Sequence, residues 1–485
     1  MRYLLQIKVF LTNIQASNTK GARMKFELKS QDISNQAGSL VNFHKRFCIF
    51  FQTRTRSMAA TALDYLKGLL TVDTEKTMAE MERRVDSVNK QQLGHFISNS
   101  PWNEELMILE IQRSVVAAIN PEGKEDAAII IDESSVQKKG YASAGVKRQY
   151  CGSLGKIENC QVGVFLAYAT STQTCLIGRN LYLPEKDWCE DSERCDEAGI
   201  PQDKRNFKTK AKLALELVDQ AIQNQINFSF VHMDAHYGEQ PWLLDSLQEK
   251  RLTYVADIAS DTRVFVGTPM VSVEEFGNGT FQMAVEGEGA IAVRDLVAQG
   301  KIKFHRHAIR DTQRGKLIVN FAAIRVRRSQ NNMPIPGECW LLVRQELDGS
   351  ETKFSLSNAS ETTPITTLAE WQSRRYWVER SLQDAKGLAG LDQYRVTGWR
   401  GWHHHTAMVM LAMLYLLTTK ATLVGLATML TLKDALEIVK VLMPQKQLTY
   451  EDAVEILREK HENRERSRLS RLKDQEALLA DCEFH

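Results

Sequence analysis

Two apolar runs end in an acid. Asp132 closes "AAIIID" and Asp234 closes "FSFVHMD", and each run reads as a buried strand. A carboxylate held against an apolar strand costs free energy unless it is paired, bound to a cation or at the surface. Strand ends of this kind line the ligand crevice of open α/β sheets. A third acid, Glu379, lies in the helix-forming stretch "RRYWVERSLQDAKGLAG". With Arg375 as the origin of a wheel turning about 100° per residue, Glu379 falls at about 40° and Lys386 at about 20°. One narrow face therefore carries all three. The simple account is a surface ion pair between Arg375 and Glu379. The sharper account turns Glu379 to the sheet as a third oxygen ligand, with Arg375 and Lys386 on phosphate. Three hard carboxylates suit Mg²⁺, with Mn²⁺ as a substitute. Two such ions about 3.5–4 Å apart can activate a water or sugar hydroxyl and stabilise the leaving oxygen of one phosphodiester.

The elements that would position these acids follow from the pattern. Segments from Ala59 to Ile119 read as helices, with Ser100 and Pro101 as a start signal for the last. From Ala127 three strands form a meander, followed by the helix "KTKAKLALELVDQAIQNQ", the Asp234 strand, another helix and the strand "TYVADIA". That is an α/β pattern with a mixed sheet. The chain is β-rich from Asp261 to Ser357, with a turn signal at Asn278-Gly279. Helices resume near Thr366 and end in a strongly charged tail.

The chain has 485 residues, 43% hydrophobic and 25% charged, with a net charge of only +2. That length predicts several structural units. The charge is uneven. Met1 to Met58 holds ten Lys or Arg against two acids, and the run from Lys301 to Ser329 is opposed by Asp311 alone. Two basic segments in a near-neutral chain suit a polyanion such as nucleic acid. The eight cysteines show no repeated CxxC spacing, which argues against a zinc knuckle and for free thiols in a reducing cytoplasm. "CGSLGKIE" lacks the spacer and the Ser/Thr of a P-loop. His403, His404 and His405 are adjacent, and helical neighbours point about 100° apart, so they cannot share one ion. The apolar stretch "MVMLAMLYLLTTKATLVGLATMLTL" is broken by Thr418, Thr419 and Lys420. It reads as two buried helices and not a membrane span. Lys138, Lys139, Lys147 and Arg148, just after the Asp132 strand, are candidate phosphate contacts. No helix-turn-helix signature is present to fix a docking geometry.

The sequence resembles DDE transposases of bacterial insertion sequences, whose signature at the third acid is Tyr, two residues, Arg, three residues, Glu, six residues, Lys. Arg375, Glu379 and Lys386 match, while the Tyr position is Gln372, with Trp371 beside it. "DESSVQKKGYASAGVKRQYCGSLGKIENCQVGVFLAYAT", "MDAHYGEQPWLLDSL" and "GLDQYRVTGWRGWHHH" are similar to the insertion-sequence 701 group, and the resemblance runs from Phe43 to Leu417.

It implies an RNase H-like mixed-sheet core with a β-rich insertion, flanked by an N-terminal helical DNA-binding region and C-terminal helices. The expected units are a basic, flexible arm over 1–57, a helical DNA-binding domain over 58–122 and the first part of the core over 123–260. The β-strand insertion covers 261–357, the second part of the core 358–420, and a C-terminal helical region 421–485. Asp132, Asp234 and Glu379 become the catalytic and metal-binding triad. Arg375, Lys386, Lys138, Lys139, Lys147, Arg148 and Trp340 become DNA contacts, Trp340 by stacking on a flipped base. The activity implied is Mg²⁺-dependent cutting of terminal inverted repeats and joining to target DNA, through a hairpin. A homodimer would act on paired ends, in the bacterial cytoplasm at the nucleoid and without a membrane. A structure-specific nuclease of the same fold and a catalytically inactive DNA-binding relative are the alternatives.

Overall fold

The computed structural model describes residues 25–482 apart from 87, 124–125, 277–279, 313–314 and 444. The expected Asn278-Gly279 turn, and the arm as far as residue 24, lie outside the described residues.

Helices come first: α1 (Ser30–Ser34), α2 (Ser39–Lys45), α3 (Ala59–Thr71), α4 (Met78–Arg84), α5 (Lys90–Ser98) and α6 (Glu104–Ile119). The arm expected over 1–57 ends sooner than its charge suggested. Leu40, Phe43, Phe47 and Phe51 are buried, because their near four-residue spacing makes an apolar face that docks on the helices behind. α6 starts on the side chain of Asn103, which accepts from the amide of Leu106. The expected start at Ser100-Pro101 falls a few residues early.

The core sheet begins with β1 (Ala128–Gln137), β2 (Lys147–Cys151), β3 (Lys156–Ala169) and β4 (Thr174–Leu181). After α7 (Ser192–Glu197) and α8 (Lys210–Gln223) come β5 (Phe230–Met233), α9 (Ala235–Gly238), α10 (Pro241–Glu249) and β6 (Tyr254–Ile258). β1 and β4 both pair antiparallel with β3, whereas β1, β5 and β6 run parallel to one another. The order β4-β3-β1-β5-β6, with three antiparallel strands followed by two parallel additions, is the RNase H-like arrangement.

Beyond β6 the chain forms β7 (Arg263–Val266), β8 (Met270–Phe276), β9 (Thr280–Glu286), β10 (Ile291–Ala292), α11 (Val293–Ala298), β11 (His305–Thr312), β12 (Gly315–Gln330), β13 (Met333–Pro334), β14 (Cys339–Gln345) and β15 (Thr352–Ser357). Of these described strands, β8 and β9 alone form a separate ribbon. β15 returns to pair with β6, and β14, β12, β7 and β10 follow, so these strands extend the core sheet. An exposed β6 edge would be a pairing hazard, and β15 covers it.

The last helices are α12 (Ile365–Ser373), α13 (Tyr376–Ala389), α14 (Trp399–Leu423), α15 (Leu432–Leu442) and α16 (Tyr450–Cys482). α14 packs against α3, α5, α6 and β4, and everything from Gly401 to Leu417 along it is buried. Enclosure by protein accounts for its apolar length. It runs through Thr418–Lys420 unbroken, so the division between helices falls after Leu423 and not at that polar step. Its three histidines turn to different partners, as their spacing requires. His403 bonds the Trp399 carbonyl, His404 the Ile97 carbonyl, and His405 the Tyr65 hydroxyl and the Gly390 carbonyl. Burial lowers the pKa of His403 to about 3 and that of His405 to about 4.

Candidate active site

β1 and β5 deliver two of the acids. Ala128–Ile131 and Phe230–Met233 are wholly buried, so each strand is anchored up to the residue before its carboxylate. Ile130 pairs with His232, and Met233 with Ala256. Continuing that register brings Asp132, Asp234 and Asp257 side by side on three parallel strands. Asp132 Oδ1 accepts from the amide of Glu133 at 2.7 Å, and Asp234 caps α9 by accepting from the Tyr237 amide at 3.3 Å. α9 can lie so close to β6 because residue 238 is glycine. A Cβ there would lie 2.0 Å from the Asp257 carbonyl oxygen.

The third acid arrives on α13. Glu379 sits in its first turn, where the helix dipole favours a carboxylate. Between it and the sheet lies Arg375. The guanidinium is 3.1 Å from Glu379 Oε1, 3.7 Å from Asp257 Oδ2 and 3.9 Å from Asp132 Oδ2. Burial works against the charged guanidinium, but the fields of Asp132, Asp257, Glu379 and Asp234 outweigh it and raise the pKa of Arg375. One cation is too few for four acids. Burial, together with the charges of Asp234 and Glu379, raises Asp132 to about 7 despite Arg375 and the Glu133 amide. Burial raises Asp234 as well, against the pull of Arg375.

Asp132 and Glu379 thus flank one guanidinium, and Asp234, beside Asp132 in the register, lies within its field. Among the described residues, no three acidic, histidine or cysteine side chains stand ready around a single ion. The donor set nevertheless fits a hard divalent cation, being all oxygen and short of positive charge. Nε of Arg375 is buried without a hydrogen-bond partner, and its nearest acid there is Asp257 at ion-pair distance.

Asp257 is the acid the sequence reading missed. The run "TYVADIA" carries the same signal as the other two, an apolar strand closing on a carboxylate. Ser355 Oγ donates to Asp257 Oδ1 at 2.6 Å, and Gln372 Nε2 donates to Ser355 Oγ at 2.8 Å. Gln372, the residue in the signature's Tyr position, is therefore a buried tie from α12 through β15 to the Asp257 strand. His232 Nε2 reaches the Gln372 carbonyl at 3.3 Å. Neither aromatic neighbour takes that place: Trp371 stacks on Phe230, and Tyr376 lies beneath the Arg310 guanidinium. Beside Asp132, Glu133 pairs with Lys210 at 2.6 Å and accepts from the Tyr237 hydroxyl at 3.3 Å, with His236 3.7 Å away.

The predicted DNA contacts are dispersed. Lys386 is half-buried on α13, and Lys139 and Arg148 are exposed. Lys147 is ion-paired with Asp187. Lys138 lies 3.5 Å from the centre of the Tyr394 ring, and burial lowers its pKa to about 8, so it is a packed residue more than a free phosphate contact. Trp340 on β14 donates to the Ser360 carbonyl and stacks with Arg325. It is four strands from β1, roughly 19 Å at the usual spacing, so the sheet does not bring it to the acids. The basic run from Lys301 to Ser329 is partly neutralised by acids outside it. Arg325 and Arg327 face Glu338, and Arg328 faces Asp245.

Comparison with known proteins adds the family. The "Probable transposase for insertion sequence element IS701" of Microchaete diplosiphon is 26% identical over 365 residues, covering 74% of this chain and 83% of that protein. A solved structure, the cryo-EM structure of the piggyBac transposase synaptic complex with hairpin DNA, covers 85% of this chain and 78% of its own at 12% identity, with a TM-score of 0.33. That score is too low to bear on the fold. The family described as DDE superfamily endonuclease matches residues 47–315, a span that includes Asp132, Asp234 and Asp257 and ends before Glu379. With more than half its length matched, the chain belongs to the DDE superfamily of endonucleases.

Proposed function

We propose that this chain is an insertion-sequence transposase that cuts element ends and joins them to target DNA at the site formed by Asp132, Asp234 and Glu379. The observation that carries this reading is that Arg375 pairs with Asp132 and Glu379 and feels the charge of Asp234, three acids remote along the chain. Similarity to the IS701 protein over most of both chains supports it.

Asp132, Asp234 and Glu379 would hold divalent cations, Mg²⁺ or Mn²⁺, which supply Lewis acidity and an activated oxygen nucleophile at the phosphodiester. The chain's own residues bind and orient. Asp132 must be ionised, so its elevated pKa links activity to pH. Arg375 pairs with Asp132 and Glu379 in the free protein, and with those acids holding a cation its guanidinium would be available to pair with a phosphate. Gln372, Ser355 and Asp257 hold α12 to the sheet, and so keep the approach of α13 and Glu379 fixed.

The first strand is cut by hydrolysis. The freed 3′-hydroxyl then attacks the opposite strand to leave a hairpin, and after its opening the end joins the target by transesterification. Each step breaks one phosphodiester with a single oxygen nucleophile, so one set of acids serves all of them. Two ends entering one target require two such sites, hence a homodimer. Incubating pre-cleaved ends with a supercoiled plasmid tests the reading. A transposase gives joined product, whereas a structure-specific nuclease of this family cuts and does not join.

A further inference from the structure

α16 carries three arginines in one stripe, and a mixed stripe of acids and cations lies opposite. With Arg464 as origin, Arg468 falls at about 40° and Arg471 at about −20°, while Glu455, Glu459 and Glu462 fall between about 160° and 220°, the sector that also holds Arg466 and Lys473. From that opposite side Glu459 pairs with Arg83 of α4. The basic side faces a cleft of 570 Å³ against Lys139, in the loop just past the end of β1. Among the described residues, four cations line the cleft, Lys139, Arg464, Arg468 and Arg471, and no carboxylate does. All four are exposed.

Like charges three and four residues apart on a helix repel, so this row is unfavourable in the free protein. It becomes favourable against a polyanion, which releases counterions as each phosphate is neutralised. Arg464 to Arg471 spans about 10 Å of helix axis at 1.5 Å per residue, about three base-pair steps of 3.4 Å. Lys139 is seven residues from Asp132 along the chain, at most about 25 Å when extended and less than one turn of duplex.

We propose that this cleft binds the sugar–phosphate backbone of duplex DNA, gripping the flank of the duplex whose strand enters the acid site. The proposal rests on the DNA reading given above, and its test is independent of strand chemistry. Full-length protein is titrated against a short fluorescent duplex of arbitrary sequence, with EDTA present, at several salt concentrations. Replacing Arg464, Arg468 and Arg471 together by Gln is expected to weaken binding at least ten-fold. The slope of log affinity against log salt should shrink by about 0.9 for each phosphate left without its cation. Lys139→Gln, which lies outside the helix and cannot unfold it, should remove about one such unit. Glu462→Gln, on the opposite stripe, should not weaken binding. Unchanged affinity and slope in both the triple variant and Lys139→Gln would overturn the proposal. So would a loss confined to single-stranded DNA. If the wild type fails to bind any duplex, the DNA reading falls and the cleft assignment falls with it. If the wild type binds and these variants bind equally well, the cleft assignment alone fails.

Discussion

Arg375 Nη1 lies 3.1 Å from Glu379 Oε1 while another edge of the same guanidinium faces Asp132 at 3.9 Å. A single cation thus bridges the helix that carries the third acid to the strand that carries the first. Removing it should leave the acids repelling one another. Arg375→Gln is expected to cost about 3 kcal/mol, as when one partner of a buried ion pair is removed. Millimolar Mg²⁺ should restore more stability to this variant than it adds to the wild type. Thermal melts with and without Mg²⁺ check this, and a melting temperature indifferent to both changes would contradict it.

The raised pKa of Asp132 sets a pH dependence. Its folded value of about 7 exceeds the ordinary aspartate value of 3.8, so between those limits the native state holds a proton that the unfolded chain has lost. This contribution therefore favours folding in acid and fades as pH rises towards 7. Asp132→Asn removes the penalty of charging the group. It should be more stable than wild type at pH 8, by about 1–2 kcal/mol, with the gain shrinking towards pH 5. Urea midpoints at the two pH values measure it.

Asp257 and Gln372 are positioning residues in this account. Ser355→Ala and Gln372→Ala each cut the tie between α12 and the Asp257 strand while substituting none of the three acids. Each should lower kcat by roughly 10–100-fold, the usual cost of removing a supporting partner, with little change in DNA affinity. Equal losses in affinity and rate would mean that the tie does not orient the site.

Gly238→Ala tests the close approach behind Asp234. The added methyl would meet the Asp257 carbonyl oxygen, and relief requires α9 to move off β6. Destabilisation of about 1–3 kcal/mol is expected, as for overpacking. A neutral effect on the urea midpoint would show that α9 has slack.

Much of this site can be read from local pattern. Apolar runs ending at Asp132 and Asp234, and one helical face holding Arg375 and Glu379, are short-range signals that survive folding. Asp257 carries the same signal, yet "TYVADIA" reads as an ordinary strand until its partner is known. That partner, Ser355, is 98 residues away, and a pairing that distant leaves no periodic trace. The continuity of the β-rich segment with the core sheet is hidden for the same reason, since it depends on β15 returning to β6. Arg375 reads as a phosphate contact because helical spacing shows which face it occupies and not what lies opposite. Lys138 and Lys147 read as free cations because neither Tyr394 nor Asp187 lies near them in sequence.

The most direct measurement is strand joining by pre-cleaved ends with the acids replaced singly and in pairs. Asp132→Ala, Asp234→Ala and Glu379→Ala should each abolish joining to at least about 10³-fold below wild type. The double variants should be no worse than the singles, because groups acting as a unit are non-additive. A Glu379→Ala protein that binds DNA and joins ends at the wild-type rate would contradict the account.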